Sequence, residues 1–320
     1  MSEPIVRVEK IAKTYRLGFW RKRVEAIREI SFEVHRGEVF GLLGPNGAGK
    51  TTTIKSVLGL IFPSQGEIRV FGERPGTPAA AAKVGYMPEN PYLYQYLRPR
   101  ELLDLCARLA GIEPSLRAGR IEAMLEKVGL SQAVDRSIGK LSKGMMQRLG
   151  LAQALMHEPE LLILDEPMSG LDPIGRKEIR DLLLEEREKG TTLLFTSHIL
   201  SDVESLCDRV VIVQGGRVIR EGRLHELLEG GGGEIEITLT AVTSAARASL
   251  AAQADAIRDE GPAIVLTLGD EIAVQRLLTE AIELGATIRS VIPHRRSLER
   301  FFTAEETMAA APSDEPLTGP

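Results

Sequence analysis

The sequence has no hydrophobic run long enough to cross a lipid bilayer. A transmembrane helix needs about 18 or more consecutive apolar residues, and polar or charged residues interrupt every apolar stretch of the chain before that length. The N-terminal segment contains Glu3 and Glu9 and alternates like a strand, which is unlike a secretory signal. We therefore expect a soluble protein without a membrane span or a leader. Its hydrophobic fraction of 43% is enough for a substantial core.

Cysteine is scarce, and there is no excess of basic residues. Cys106 and Cys207 are far apart and fit no metal-binding spacing, which is typical of a reducing cytoplasm. The net charge of −5 and the pI near 5.7 argue against general nucleic-acid binding. One short basic run, residues 21–23, is open to two interpretations: a solvated loop, or a contact with anionic lipid headgroups or a membrane partner.

A glycine-rich segment, residues 44–51, has the spacing of a phosphate-binding loop. It follows an apolar run, 39–43, that predicts a strand, and it precedes a segment, 52–58, that predicts a helix. In such a loop, backbone N–H groups converge on the phosphates, a lysine reaches the β- and γ-oxygens, and a hydroxyl coordinates Mg²⁺. The alternative is a chance glycine-rich turn. The predicted nucleotide-binding residues here are Gly44, Pro45, Asn46, Gly47, Ala48, Gly49, Lys50, Thr51 and Thr52, with Lys50 also catalytic and Thr51 on the metal.

An acidic pair, Asp165 and Glu166, follows a second apolar run, 161–164. Four apolar residues in a row predict an internal parallel strand, and open α/β sheets bind ligands at the carboxyl ends of such strands. We predict that Asp165 holds Mg²⁺, through water, and that Glu166 orients and deprotonates an attacking water. The alternative is that the pair caps the turn that follows, where Pro167 cannot continue a ladder.

A serine-glycine element, Leu141 to Met145, lies between the loop and the acidic pair. With this order of motifs, the chain resembles the nucleotide-binding subunit of an ATP-binding-cassette (ABC) transporter. The element resembles that family's signature motif, with Lys143 where glycine is usual and Met145 where glutamine is usual. The resemblance implies that Ser142 and Gly144 contact the γ-phosphate of an ATP held by another subunit. The residue types alone also predict Ser142 as a helix N-cap.

Three further positions match motifs of the same family, and a fourth departs from one. Ser169 to Asp172 resembles the loop that communicates between two nucleotide sites, so the resemblance places Asp172 near the nucleotide. It also implies that His198 contacts the γ-phosphate and that Tyr15 stacks on adenine; taken alone, these would be an ordinary loop residue and a half-buried strand residue. Glu89 stands where the family has a glutamine. Its carboxylate offers an oxygen to Mg²⁺ or to the attacking water but adds negative charge there.

The resemblance implies an ATPase that binds ATP and Mg²⁺ and works as a head-to-tail homodimer or paired with a related ATPase subunit. Its partners would be integral membrane permease subunits, at the cytoplasmic face of the cell membrane, and no nucleic acid is expected. Export is favoured because exporter subunits with a separate permease carry a similar C-terminal extension. Two alternatives remain: a soluble ABC-type ATPase acting on ribosomes or DNA, and an importer subunit. A single phosphate loop and the lack of sustained heptads weaken the first.

The predicted fold class is α/β: a P-loop ABC-type ATPase domain with a helical subdomain, followed by a small α/β domain. The ATPase domain is placed at 1–229, with its helical subdomain at about 88–156, in which Tyr92, Tyr94 and Tyr96 form either a core or an interface. Four glycines, 230–233, predict a flexible linker. The second domain, 234–307, is predicted from strands at 235–239, 264–268 and 287–292 and helices near 245–256 and 272–284, and the tail, 308–320, is predicted to be disordered.

Overall fold

The computed structural model describes residues 3–17, 22–229 and 235–293. They fall into two compact units, the first ending at Leu224 and the second beginning at His225. The predicted glycine linker and C-terminal tail lie outside the described residues, as does the start of the basic run 21–23. In the part of the chain that is described, no helix is both long and apolar enough to span a membrane.

The first unit alternates strands and helices. Its elements are β1 (Val6–Leu17), β2 (Lys22–Val34), β3 (Val39–Leu43), α1 (Lys50–Val57), β4 (Gln65–Val70), α2 (Pro78–Ala81), β5 (Val84–Met87), α3 (Pro99–Leu109), α4 (Pro114–Lys127), α5 (Lys143–Leu155), β6 (Leu161–Asp165), α6 (Pro173–Glu188), β7 (Thr192–Ser197), α7 (Leu200–Leu206), β8 (Arg209–Gln214) and β9 (Arg217–Arg223). A last helix, α8 (Leu224–Glu229), begins at Leu224, the last residue of this unit.

A nine-stranded mixed sheet, in the order β4-β1-β2-β9-β8-β3-β7-β6-β5, forms the framework of this unit. Its strands β8, β3, β7, β6 and β5 run parallel to one another. Every residue of β3, β6 and β7 is buried, which explains their unbroken apolar runs. Because these three strands are parallel neighbours, the segments that follow them, beginning at Gly44, Glu166 and His198, leave the sheet at one edge.

The segment between β5 and β6 carries the helices α3, α4 and α5. Three tyrosines at its start are exposed: Tyr92 by 95%, Tyr94 by 65% and Tyr96 by 97%. They lie in an irregular stretch after β5 that contains Pro91, so their side chains do not form a core. The interpretation of this cluster as a core is therefore wrong.

The second unit is a four-stranded antiparallel sheet with two helices, β10 (Ile235–Thr240), α9 (Ser244–Ala251), β11 (Ala256–Glu260), β12 (Ala263–Leu268), α10 (Glu271–Glu283) and β13 (Thr287–Pro293). The strand order β11-β12-β10-β13 is the split βαβ arrangement. Leu250 of α9 and Leu277 of α10 pack with Ile237, Leu239 and Leu266 in one core.

The predicted helix at 245–256 extends too far, since α9 ends at Ala251 and Ala256 begins a strand, β11. Every residue of β11 is exposed and most of its residues are polar, so it has no hydrophobic alternation by which to recognise it. It pairs with β12 through a tight turn in which Gly261 takes a φ of +61°. The predicted strands at β10, β12 and β13 and the helix at α10 are present within one or two residues.

Candidate functional site

The loop between β3 and α1 contains three positions that favour glycine: Gly44, Gly47 and Gly49. Gly47 and Gly49 have φ of 84° and 105°, values that other residues rarely adopt. A Cβ on Gly49 would lie 2.7 Å from the carbonyl oxygen of Ala26, and one on Gly44 would overlap the carbonyl oxygen of Val213. The loop backbone therefore packs directly against two neighbouring strands, and the first turn of α1 begins with no side chain capping its N–H groups.

Lys50, the first residue of α1, points its side chain back into this loop. Its Nζ donates to the carbonyl oxygen of Gly44 at 2.7 Å and to that of Pro45 at 3.3 Å. It also lies 3.2 Å from Oε1 of Glu166 in an ion pair whose two side chains are almost fully buried. The ammonium is thus held between the loop and the end of β6.

Asp165 and Thr51 bring hard oxygen atoms together at the same place. Asp165 is the last residue of β6, and its Oδ1 accepts from Oγ1 of Thr51 at 3.3 Å. Hydroxyl and carboxylate oxygens are suitable ligands for Mg²⁺, which usually takes only one or two protein carboxylates beside phosphate and water. No cluster of three or more metal-binding side chains exists among the described residues. This pair of oxygens fits a magnesium ion that shares its coordination with a phosphate.

Thr196, which sequence reasoning did not single out, joins the two acidic residues. Its Oγ1 donates to Oδ1 of Asp165 at 2.7 Å and accepts from the backbone N–H of Glu166 at 2.9 Å. Glu166 has a φ of +50°, a left-handed conformation that costs a non-glycine residue about 1–2 kcal/mol. A sequence signal existed, because Thr196 and Ser197 are hydroxyl residues that directly follow the apolar run 193–195 of this buried strand.

His198 follows β7 and contacts the same carboxylate. Its Nδ1 lies against Oε2 of Glu166, whose Oε1 pairs with Lys50. The nearby phenol of Tyr86, on β5, stays neutral, since burial and the charge of Asp165 raise its pKa to about 12. Five of the predicted site residues are therefore linked by direct contacts: Lys50, Thr51, Asp165, Glu166 and His198.

Three other predicted residues lie at helix N-termini. Ser142 is the N-cap of α5, and its Oγ accepts from the N–H of Met145 at 3.2 Å, which confirms the predicted cap. Asp172 is the N-cap of α6, and its Oδ1 accepts from the N–H of Gly175 at 2.9 Å. Gly144, in the first turn of α5, lies close to Leu171: a Cβ on it would be 3.7 Å from Cδ2 of that leucine.

Tyr15 and Glu89 are not joined to the linked group by any contact seen in the described residues. Tyr15 is half-buried in β1, with Nζ of Lys13 5.4 Å from its ring centre. The side chain of Glu89 is exposed, and its backbone carbonyl accepts from Nε2 of Gln147 at 3.0 Å.

Known proteins are similar to this chain in sequence and in fold. The family model described as ABC transporter matches residues 27–169. An uncharacterized ABC transporter ATP-binding protein of Nostoc sp. is 48% identical over 227 residues, covering 70% of this chain and 68% of that protein. The linearmycin resistance ATP-binding protein LnrL of Bacillus subtilis is 36% identical over 308 residues, covering 93% of this chain and 97% of LnrL.

The chain belongs to the ATP-binding proteins of ABC transporters. A solved structure of an ATP-binding subunit of an ABC transporter, 32% identical, matches with a TM-score of 0.63 over 71% of this chain and 92% of that one. The protein is accordingly an ATPase that powers transport, and the alternative of an ATPase acting on ribosomes or DNA is set aside.

In this ABC ATPase the family model covers only some of the residues that contact one another at the site. The match includes Lys50, Ser142 and Glu166 but ends at Ser169, before His198. The contact between Glu166 and His198 comes from the fold, which places the ends of β6 and β7 side by side.

Proposed function

We propose that two copies of this chain, or one copy and a related ATPase subunit, hydrolyse ATP at sites shared between them and power export through a separate membrane permease. The observation that carries this proposal is that, within one chain, the signature serine is not joined to the residues proposed to bind and hydrolyse ATP. Lys50 and His198 both contact Glu166, whereas no hydrogen bond or ion pair among the described residues joins Ser142 to any of the three. A second subunit, oriented head to tail, would bring a signature helix to the linked group.

The contacts of Lys50, Thr51 and Asp165 support the roles predicted for them. Lys50 and the backbone N–H groups of the loop, those of residues 46–52, would bind the phosphates. Thr51 and Asp165 would hold Mg²⁺, which when bound neutralises phosphate charge, and Glu89 would offer a further oxygen to it or to the water. Hydrolysis of this kind depends mainly on positioning and electrostatic stabilisation.

Glu166 would orient and deprotonate the attacking water. Its carboxylate is held from both sides by Lys50 and His198, which leaves it little freedom to rotate. His198 would contact the γ-phosphate, and Tyr15 would stack on adenine. Ser142 and Gly144 would reach the γ-phosphate from the other subunit, with Asp172 in the loop between the two sites.

Export is supported by a relative that covers nearly the whole chain, the linearmycin resistance protein, whose match includes the C-terminal unit. The exposed aromatic cluster of Tyr92, Tyr94 and Tyr96, next to Glu89, is a suitable surface for an integral membrane partner, because tyrosine is enriched in protein interfaces. The protein would then work at the cytoplasmic face of the membrane.

Affinity purification from detergent-solubilised membranes tests this function. A tagged full-length chain is expected to recover an integral membrane protein and to hydrolyse ATP only with Mg²⁺. A matched variant with serine at the three exposed tyrosines should recover less of that partner while its ATP affinity is unchanged. Recovery of ribosomes, or of a solute-binding protein together with the permease as in an importer, would contradict the proposal.

A further inference from the structure

An ion pair joins the two helices that follow the loops at residues 169–172 and at His198. Arg176 lies in the first turn of α6, where its backbone N–H donates to the carbonyl oxygen of Asp172 at 3.0 Å. Asp202 lies in the first turn of α7. Nη2 of Arg176 is 3.6 Å from Oδ2 of Asp202, with side-chain exposures of 29% and 11%. Neither residue belongs to a motif singled out in the sequence.

Asp202 also lines a small cavity beside Glu166. The cavity has a volume of about 10 Å³, room for at most a single water. Its walls include Glu166 and Ser169 from the segment after β6 and Ser197 from the end of β7. The carboxylate of Asp202 therefore lies where the turn carrying Glu166, the loop beginning at Ser169 and the segment carrying His198 meet.

The charges around Asp202 are those of the site itself. Burial raises the pKa of the Asp202 carboxyl, Arg176 and His198 oppose that rise, and the carboxylate of Glu166 adds to it. The carboxylate of Asp202 thus interacts electrostatically with His198 and Glu166 as well as with Arg176.

Stability does not account for this pair. A half-buried ion pair recovers little net free energy, since both groups lose hydration. Nε of Arg176 is in addition buried without a hydrogen-bond partner among the described atoms, which is an unfavourable arrangement. The pair instead constrains the relative positions of the two loops that precede α6 and α7.

We propose that Arg176 and Asp202 are positioning residues for hydrolysis: their ion pair fixes the loop 169–172 relative to His198 and thereby holds Glu166 in its catalytic orientation. This inference rests on the proposed function of Glu166 and His198. Neither side chain contacts the phosphate-binding loop in the described structure, so nucleotide binding should not depend on the pair.

The first test is a double-mutant cycle on ATP hydrolysis by the full-length chain, with Asp202→Asn, Arg176→Gln and both together. Each single variant should lower kcat about tenfold, a typical effect of a misplaced catalytic group, with KM for ATP changed less than about twofold. The double variant should be no worse than either single one, because the same contact is lost. Arg176→Lys, which keeps the charge, should recover part of kcat.

Glu178→Gln is the matched control. Glu178 also lies on α6, and its Oε2 is likewise 3.6 Å from an arginine, Nη1 of Arg148. This variant should leave kcat unchanged. Additive losses in the cycle, a raised KM with unchanged kcat, or an equal loss in Glu178→Gln would overturn the inference.

Amide hydrogen exchange gives a measurement that does not need turnover. Asp202→Asn should speed exchange in residues 169–172, and Arg176→Gln should speed it in residues 198–200, each on the opposite side of the pair. Changes confined to the mutated helix would overturn the inference. Glu166→Gln is measured in parallel: if it hydrolyses ATP normally, the proposed function fails, whereas if only Asp202→Asn is normal, the positioning role alone fails.

Discussion

Nζ of Lys50 lies 3.2 Å from Oε1 of Glu166, and the two side chains are exposed by only 5% and 9%. The residue proposed to bind phosphate and the residue proposed to activate water are thus direct partners. A substitution that removes one charge leaves the other buried and less well paired, which is costly. Variants at either position are therefore best made with side chains of similar shape, so that a loss of activity is not a loss of folding.

Glu166→Gln should abolish nearly all ATP turnover while Mg²⁺-ATP still binds. The amide keeps the shape of the side chain and an oxygen acceptor for Lys50, but it cannot take a proton from water. If closure of a dimer is resolved only by hydrolysis, the variant should accumulate an ATP-bound dimer. Size-exclusion chromatography with and without ATP measures this, beside an assay of released phosphate.

Glu160→Gln is the matched control for that variant. Glu160 directly precedes β6, at the opposite end from Glu166, and pairs with Arg36 at 2.6 Å on the surface. Its substitution should leave turnover within about twofold, since exposed pairs contribute little. Wild-type hydrolysis by Glu166→Gln would refute the role given to this residue.

A mixing experiment tests whether the site is shared between subunits. Ser142→Arg alone and Lys50→Met alone should each be inactive, because every dimer then contains two damaged sites. A mixed dimer has one site with both defects and one with neither, so activity should return on mixing, up to about a quarter of the wild-type level for random pairing if each intact site acts independently.

The same preparations need proof of assembly. Differently tagged chains show by co-purification that mixed dimers form. If they form and stay inactive although each variant is folded, the head-to-tail arrangement is wrong or both sites must be intact for turnover. A Thr240→Ala chain, changed in the second unit, mixed with Lys50→Met shows the activity expected when one partner is undamaged.

The sequence predicted the elements of the fold best where a fully buried strand leads directly into a site motif. The run 39–43 predicted β3 with its observed bounds because a strand covered on both faces is apolar throughout. The helix after the loop begins at Lys50, two residues earlier than predicted, because Gly49 in its left-handed conformation ends the loop. The hydroxyl residues at the end of β7 indicated a polar site, but the contacts of Thr196 depend on β6 and β7 being neighbours, a pairing that no local pattern encodes.

Gly41→Ala should destabilise the first unit, because Gly41 of β3 is packed against Cys207. An added Cβ would lie 2.6 Å from Sγ of this buried cysteine and 3.4 Å from Cγ1 of Val203. Overpacking of this kind costs about 1–3 kcal/mol. Thermal or urea unfolding should show that loss, and Cys207→Ala in the same chain should restore part of it, since the sulfur is what the new methyl meets.

Gly37→Ala is the control that distinguishes a steric clash, expected at Gly41, from backbone strain at a glycine with positive φ. Gly37 has a φ of +77° and open space around it, whereas the constraint at Gly41 is contact alone. Gly37→Ala should therefore be destabilised by strain that Cys207→Ala does not relieve. Equal rescue of both variants, or no effect of Cys207→Ala on Gly41→Ala, would contradict the packing described here.

A chain that ends at Glu229 should fold and bind ATP, because all the contacts of the linked group lie in the first compact unit. We expect the truncation to weaken recovery of the membrane partner or dimer formation much more than ATP affinity, because the second unit is proposed to serve assembly. Binding of a fluorescent ATP analogue and pull-down from membranes measure the two effects on the same preparations.

A full-length chain with Leu277→Asp, which disrupts the core of the second unit without shortening the chain, should reproduce the assembly defect. A soluble truncated chain that lost ATP binding yet kept its partner would show that the predicted division at residue 229 is wrong.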